Sequence, residues 1–126
     1  MFNSITTSEE SRKTIVQLTN KLGLGTENVI ARLAFAYSLS KKEKLDLKNQ
    51  ADGKGKLYPA KVLFGEYIEV YLGMICELYG IKLIDNNLPK YVKMHIDHGL
   101  EIMAPYANND GLDFLVRCIE EGIAEV

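Results

Sequence analysis

Apolar residues recur at three- and four-residue steps through most of the chain, the period of helices packed against a core. Ile15, Leu18 and Leu22 form the first stripe. Thr7 and Glu10 stand ahead of it at capping-box spacing and Gly23 follows it, which predicts a helix from near Ser8 to Leu22. After the short connection Gly23-Leu24-Gly25, Thr26 is a good cap for a second helix over about Glu27 to Ser38. Between Asn28 and Ser40 only Arg32 is charged. A helix apolar almost all round is one surrounded by protein, so this one is expected at the centre of the core or of an oligomer interface. Phe64, Ile68, Tyr71, Ile75 and Leu78 predict a third helix from Val62 to Tyr79, stopped by Gly80. Gly65 and Gly73 would each cost about 1 kcal/mol against alanine inside it, so close backbone approach or a helix start is expected there. Pro89 opens a fourth helix to about Met103, closed by Pro105. Asp110 caps a fifth, with Leu112, Leu115, Val116, Ile119 and Ile123 on one stripe.

Two stretches break this period. Ser40 to Pro59 is polar and basic and contains Asp52-Gly53 and Gly55, which reads as an exposed loop, opening with a short helical turn and contributing nothing to a core. Phe2 to Thr6 is the single segment that reads as a strand. A lone strand is unstable, so its expected partner is the same strand of a second subunit. The fold class is therefore mainly α: about five helices with a short N-terminal strand, in one domain over residues 1–126.

Composition narrows the classes. A chain of 126 residues, 47% hydrophobic and 25% charged, builds one ordinary core, which excludes disorder and a multidomain enzyme. No apolar run approaches the roughly 20 residues that cross a bilayer, and MFNSITTSEE lacks the basic start and apolar centre of a signal peptide; a cytoplasmic protein with no membrane contact is expected. Cys76 and Cys118 make no pair motif and read as reduced thiols.

Charge changes the picture more. Residues 11–61 carry eleven basic side chains against four acidic, a balance of +7, whereas residues 62–126 carry four against eleven, a balance of -7. A chain split in this way can present one basic surface to a polyanion although its net charge is -2. On the first helix Lys13, Gln17 and Lys21 share a face, and Lys41, Lys42, Lys44 and Lys48 follow the second.

Catalytic chemistry is sparse. His95 and His98 are three apart on a helix, with Asp97 and Glu101 near, the spacing of a metal site; on a stripe shared with Tyr91 and Ile102 they are expected to be packing residues, and no metal is expected. Cys76 and Cys118 flank core positions and lack the basic setting of a reactive thiol. Gly23-Leu24-Gly25 lacks the strand and lysine of a phosphate-cradling loop. Tyr37, Tyr67, Tyr71 and Tyr91 occupy core-type positions.

One resemblance adds to this. The run KLGLGTENVIARLAFAYSLS, the basic stretch after it, then LFGEYIEVYLGMI and HIDHGLEIM, resemble in order and spacing the DndE family of bacterial DNA sulfur-modification (phosphorothioation) proteins. The resemblance covers most of the chain. It implies a helical protein with a ribbon-helix-helix-like start that forms oligomers, binds DNA with a preference for nicked duplex, works beside sulfur-transfer enzymes, and has no catalytic motif or cofactor. Ribbon-helix-helix repressors read bases with strand side chains. Phe2 to Thr6 offers neither arginine nor lysine, so phosphate contacts are the expected mode. The DNA-binding residues expected are Lys13, Lys21, Lys41, Lys42, Lys44 and Lys48, and the oligomer interface of a dimer or tetramer is expected at Gly23, Leu24, Gly25, Leu33 and Tyr37. The alternative is a scaffold that assembles the modification enzymes, its basic loop on an acidic protein partner.

Overall fold

The computed structural model describes residues 2–23 and 25–105, whose elements run β1 (Ser4–Thr6), α1 (Glu9–Leu22), α2 (Glu27–Ser40), β2 (Leu57–Pro59), α3 (Ala60–Phe64), α4 (Ile68–Tyr79) and α5 (Leu88–Met103), a mainly α fold with a two-stranded sheet. Short 3-10 turns occupy Leu47–Asn49 and Gly65–Tyr67. The predicted fifth helix after Asp110 and Cys118 lie outside the described residues.

α2 is central, as its uniform apolarity implied. Ile30, Ala31, Ala34, Phe35, Tyr37, Ser38 and Leu39 are all buried, against Ile15 and Leu18 of α1, Phe64 of α3, Leu72 and Ile75 of α4, and Val92, Ile96 and Leu100 of α5. Phe35, Phe64 and Tyr71 form a ring cluster with centroids 5.0 to 6.2 Å apart. Arg32, the lone charge in the middle of α2, turns its Nε–H to the Leu63 carbonyl at 2.7 Å, so the guanidinium closes a backbone acceptor at the end of α3. Small residues let α2 and α5 meet closely. A side chain at Gly99 would stand 1.9 Å from the Ala34 carbonyl oxygen, so only glycine fits this seam.

Caps and breaks differ from the sequence reading in instructive ways. The cap of α1 is Ser8, whose Oγ accepts from the Ser11 N–H at 3.0 Å; Thr7 is instead committed to the loop, exchanging hydrogen bonds with the Lys56 backbone. Thr26 holds the cap position of α2 with extended backbone, yet its hydroxyl makes no capping bond. The stripe from Val62 to Tyr79 is two helices, because Gly65 adopts φ 59°, ψ -142° and turns the chain. Gly73 has neither reason offered for it: it is inside α4 with nothing within 4 Å of where a side chain would be. Tyr67, assigned to the core by its spacing, is 64% exposed, because the break at Gly65 rotates it out of the stripe.

The strand also finds a different partner. β1 pairs antiparallel with β2 of the same chain, Ile5 opposite Tyr58, so the strand is not alone and needs no second subunit to form. The basic stretch therefore does contribute to the core: Tyr58 is fully buried. Gly55 makes the approach, since a side chain there would meet the Ser8 carbonyl at 2.2 Å. The Tyr58 hydroxyl is buried without a hydrogen-bond partner among the described residues, and burial, with Glu27 adding to it, pushes its pKa up to about 12.

Candidate nucleic-acid interface

Five of the six candidate lysines reach solvent, from two places. Lys13 and Lys21 are exposed on α1, and Lys42, Lys44 and Lys48 are exposed on the segment that follows α2. Lys41, at the C-cap of α2, is half-buried and holds its ammonium 4.6 Å from the centroid of the Tyr37 ring. Two other lysines are paired within the chain: Lys56, itself exposed, with Glu27, and the part-buried Lys93 with Asp97 at 2.6 Å. Arg12, Lys54, Lys61, Lys82 and Lys90 are exposed as well.

An open cleft of about 480 Å³ lies between α1, α5 and the segment after α2, and no lysine lines it. Ser11 and Thr14 of α1, Asp97 and His98 of α5, and Leu45 and Asn49 of the segment line it. Glu10 and Thr14 belong to the same helical stripe as Gln17 and Lys21, so Lys21 stands on the side of α1 that faces the segment. The cleft itself is acidic, with Glu10, Asp46, Asp97 and Glu101 in its lining. These carboxylates repel a phosphate from its floor.

Asp97, a metal-ligand candidate by spacing, is a structural hub. It accepts from the Ser11 hydroxyl at 2.6 Å, the Ser8 N–H at 3.2 Å and Lys93, which clamps the start of α1 to α5. His95 and His98 both reach one hydroxyl, with Ser38 Oγ 2.8 Å from His95 Nδ1 and 2.7 Å from His98 Nδ1. The other ring nitrogen of His95 lies 2.6 Å from Tyr79 Oη. Both nitrogens of His95 are therefore committed to protein, and burial, with the neighbouring His98, pulls its pKa down to about 4. Among the described residues no group of three or more His, Cys, Asp or Glu is placed to hold a metal. Burial also raises the Cys76 pKa, with Asp85 adding to the shift, the opposite of what a reactive thiolate needs.

A family model described as "DNA sulphur modification protein DndE" matches residues 4–110. The chain belongs to the DndE family. Two solved DndE structures share its fold. One, of DndE from Escherichia coli B7A involved in DNA phosphorothioation modification, has 22% identity and a TM-score of 0.65. The other, a glycine-to-lysine DndE mutant involved in DNA phosphorothioation, has 24% identity and a TM-score of 0.64. Each comparison covers 82% of this chain and 98% of the other. None of the curated proteins matches the chain. No helix among the described residues is long and apolar enough to cross a membrane.

The expected interface residues of this DndE-family chain divide. Gly23 caps α1 with φ 62°, Gly25 has φ 113°, and Leu33 is half-buried against the core. Tyr37 is only 8% exposed, so its own chain already encloses it and it adds little apolar surface for a partner. Leu24 lies outside the described residues. The larger exposed apolar surface is on α4 and the turn before it: Tyr67, Val70 and Met74 stand 40 to 64% exposed at helical spacing, flanked by Glu66, Glu69 and Glu77. Sequence reasoning missed this stripe because it took α3 and α4 as one continuous helix. The signal was present in Gly65, whose positive φ resets the helical phase.

Proposed function

We propose that this DndE-family chain is a non-enzymatic, DNA-binding accessory of phosphorothioation. It holds duplex DNA through phosphate contacts from Lys13 and Lys21 on α1 and from Lys41, Lys42, Lys44 and Lys48 after α2. The observation that carries this reading is the exposure of lysines on α1 and on the segment after α2, two elements that line one cleft. Lysine reads charge and not base edges, so binding is largely independent of sequence. A homo-oligomer repeats the basic face along the duplex. A nick is preferred because it lowers the bending energy, a few kcal/mol in an intact duplex, of laying DNA across several copies.

The test is a binding titration against intact, nicked and single-stranded DNA at several salt concentrations. The logarithm of affinity should fall with that of salt by about 0.9 per duplex phosphate neutralised. Changing Lys41, Lys42 and Lys44 together to glutamine should weaken binding to every duplex alike and flatten the slope. A folded triple variant with affinity and slope unchanged refutes the reading.

One observation favours the scaffold as the second reading. The stripe Tyr67, Val70 and Met74 with its carboxylate flank is an apolar surface at odds with a DNA face, and it suits contact with another modification protein or a second copy. Val70→Glu that leaves DNA binding by the isolated protein intact, but abolishes phosphorothioation, would move this reading ahead.

A further inference from the structure

The basic segment leaves α2 through a strained turn. Lys42 has φ 56°, a left-handed conformation that a side-chain-bearing residue keeps only where its surroundings enforce it. Two backbone bonds close the turn, Lys41 N–H to the Ser38 carbonyl at 3.2 Å and Lys42 N–H to the Leu39 carbonyl at 3.0 Å. Beyond it, one hydrogen bond among the described residues ties residues 43–50 to another helix. The Leu45 N–H donates to Tyr79 Oη at 2.9 Å. Leu45 follows Lys44 directly and precedes Lys48 by one turn, so this bond sets where both side chains start.

Tyr79 is in turn held from the core, and the available hydrogens give the relay a direction. A backbone N–H can only donate, so Tyr79 Oη accepts from Leu45 and its own hydrogen goes to His95 Nε2, 2.6 Å away. The His95 proton then resides on Nδ1 and donates to Ser38 Oγ, whose hydrogen goes to His98 Nδ1. Every group in this order has a partner. In the reverse order His95 Nε2–H donates to Tyr79, and the tyrosine hydrogen has no acceptor in the relay. The forward order also places an acceptor, not a donor, at the Nε2 position of residue 95.

We propose that Tyr79, His95 and Ser38 are positioning residues for DNA contact, a buried relay that fixes Leu45 and so presents Lys44 and Lys48 in one geometry to the phosphates. This rests on the reading that the lysine segment meets DNA. A segment ordered in advance loses less entropy on binding, so the relay contributes affinity without touching the ligand. It leaves the number of neutralised phosphates, and hence the salt slope, unchanged.

The test combines amide hydrogen exchange with duplex binding. Tyr79→Phe deletes one oxygen and keeps the ring that lies 4.1 Å from Tyr91, centroid to centroid. It should lower the protection of the Leu45 amide about fivefold, the worth of one neutral hydrogen bond, leave Leu72 and Ile75 of α4 protected, and weaken duplex binding to a similar degree at constant salt slope. His95→Gln restores an acceptor near Nε2 and should keep the Leu45 protection, whereas His95→Leu should lose it. A purely structural His95 would give two variants alike in Leu45 protection. Unchanged Leu45 protection in Tyr79→Phe overturns the proposal. Lost protection with unchanged affinity also overturns it, provided the triple lysine variant has lost affinity. If the triple variant binds normally, the DNA reading itself fails and the proposal falls with it.

Discussion

Gly99→Ala tests the seam on which the fold and the relay both depend. The added methyl carbon would stand 1.9 Å from the Ala34 carbonyl oxygen, 2.5 Å from its carbonyl carbon and 3.0 Å from its Cα. Ordinary contact begins near 3.4 Å, so α2 and α5 must separate locally by about 1.5 Å, and what obstructs is backbone, which cannot rotate away. Overpacking of this kind costs about 1–3 kcal/mol. The same separation stretches the bonds from Ser38 to His95 and His98, one turn from the clash, from 2.8 and 2.7 Å to beyond bonding range. Two weakened buried hydrogen bonds add about 1 kcal/mol each, for a total of about 3–5 kcal/mol. With a urea dependence of about 1–2 kcal/mol per molar, the unfolding midpoint should fall by about 1.5–5 M, a large part of the stability of a domain this size. Circular dichroism during urea titration measures it. A variant whose midpoint lies within about 0.5 M of the parent, with unchanged slope, would show that α2 and α5 are not packed at this distance.

Three further perturbations have definite signs. Gly73→Ala should stabilise by about 0.5–1 kcal/mol, seen as a raised thermal midpoint, because the glycine lies inside α4 with open space at its Cβ position. Tyr58→Phe removes a buried hydroxyl that has no partner among the described residues and should be neutral or stabilising by up to about 1 kcal/mol in urea unfolding; a loss of 2 kcal/mol or more would mean that the hydroxyl is bonded. The pKa of His95 is lowered from 6.5 to about 4, so the unfolded chain takes up a proton that the folded one refuses between those values. Its contribution is complete above pH 6.5, is lost as pH falls towards 4, and reaches about 3 kcal/mol. His95→Gln should flatten the stability profile between pH 6.5 and 5 relative to the parent, and parallel profiles would refute the assignment.

Helices were legible where the apolar period and its punctuation agreed. Gly23 and Gly80 stop α1 and α4 in the left-handed conformation expected of them, Pro89 sits in the first turn of α5, and α2 is buried along most of its length. What stayed hidden depends on contacts between distant segments. Tyr58 lies in a polar run with no alternation, and only its register opposite Ile5 explains why it is buried. Gly99 resembles any weak position in a helix until Ala34 is placed against it. The exposure of Lys13, Lys21, Lys42, Lys44 and Lys48 was legible as charge, but nothing in KKEKLDLK shows that Leu45 is tied to a tyrosine 34 positions later.

The two histidines carry that contrast furthest. Their three-residue spacing put both on one side of a helix, which is the arrangement a metal ion would use, and the geometry confirms the shared side. The element across from them decides the chemistry. α2 supplies a single hydroxyl, Ser38, and no carboxylate or thiol, while α4 supplies Tyr79, so the imidazoles close a chain of neutral hydrogen bonds. Such a chain is rigid only while each hydrogen has one acceptor, and a buried His95 that stays uncharged down to about pH 4 meets that condition throughout the neutral range. At its far end the backbone of an exposed lysine segment is held from inside the core, which, in the role proposed for it, separates the side chains offered to an anion from the groups that aim them.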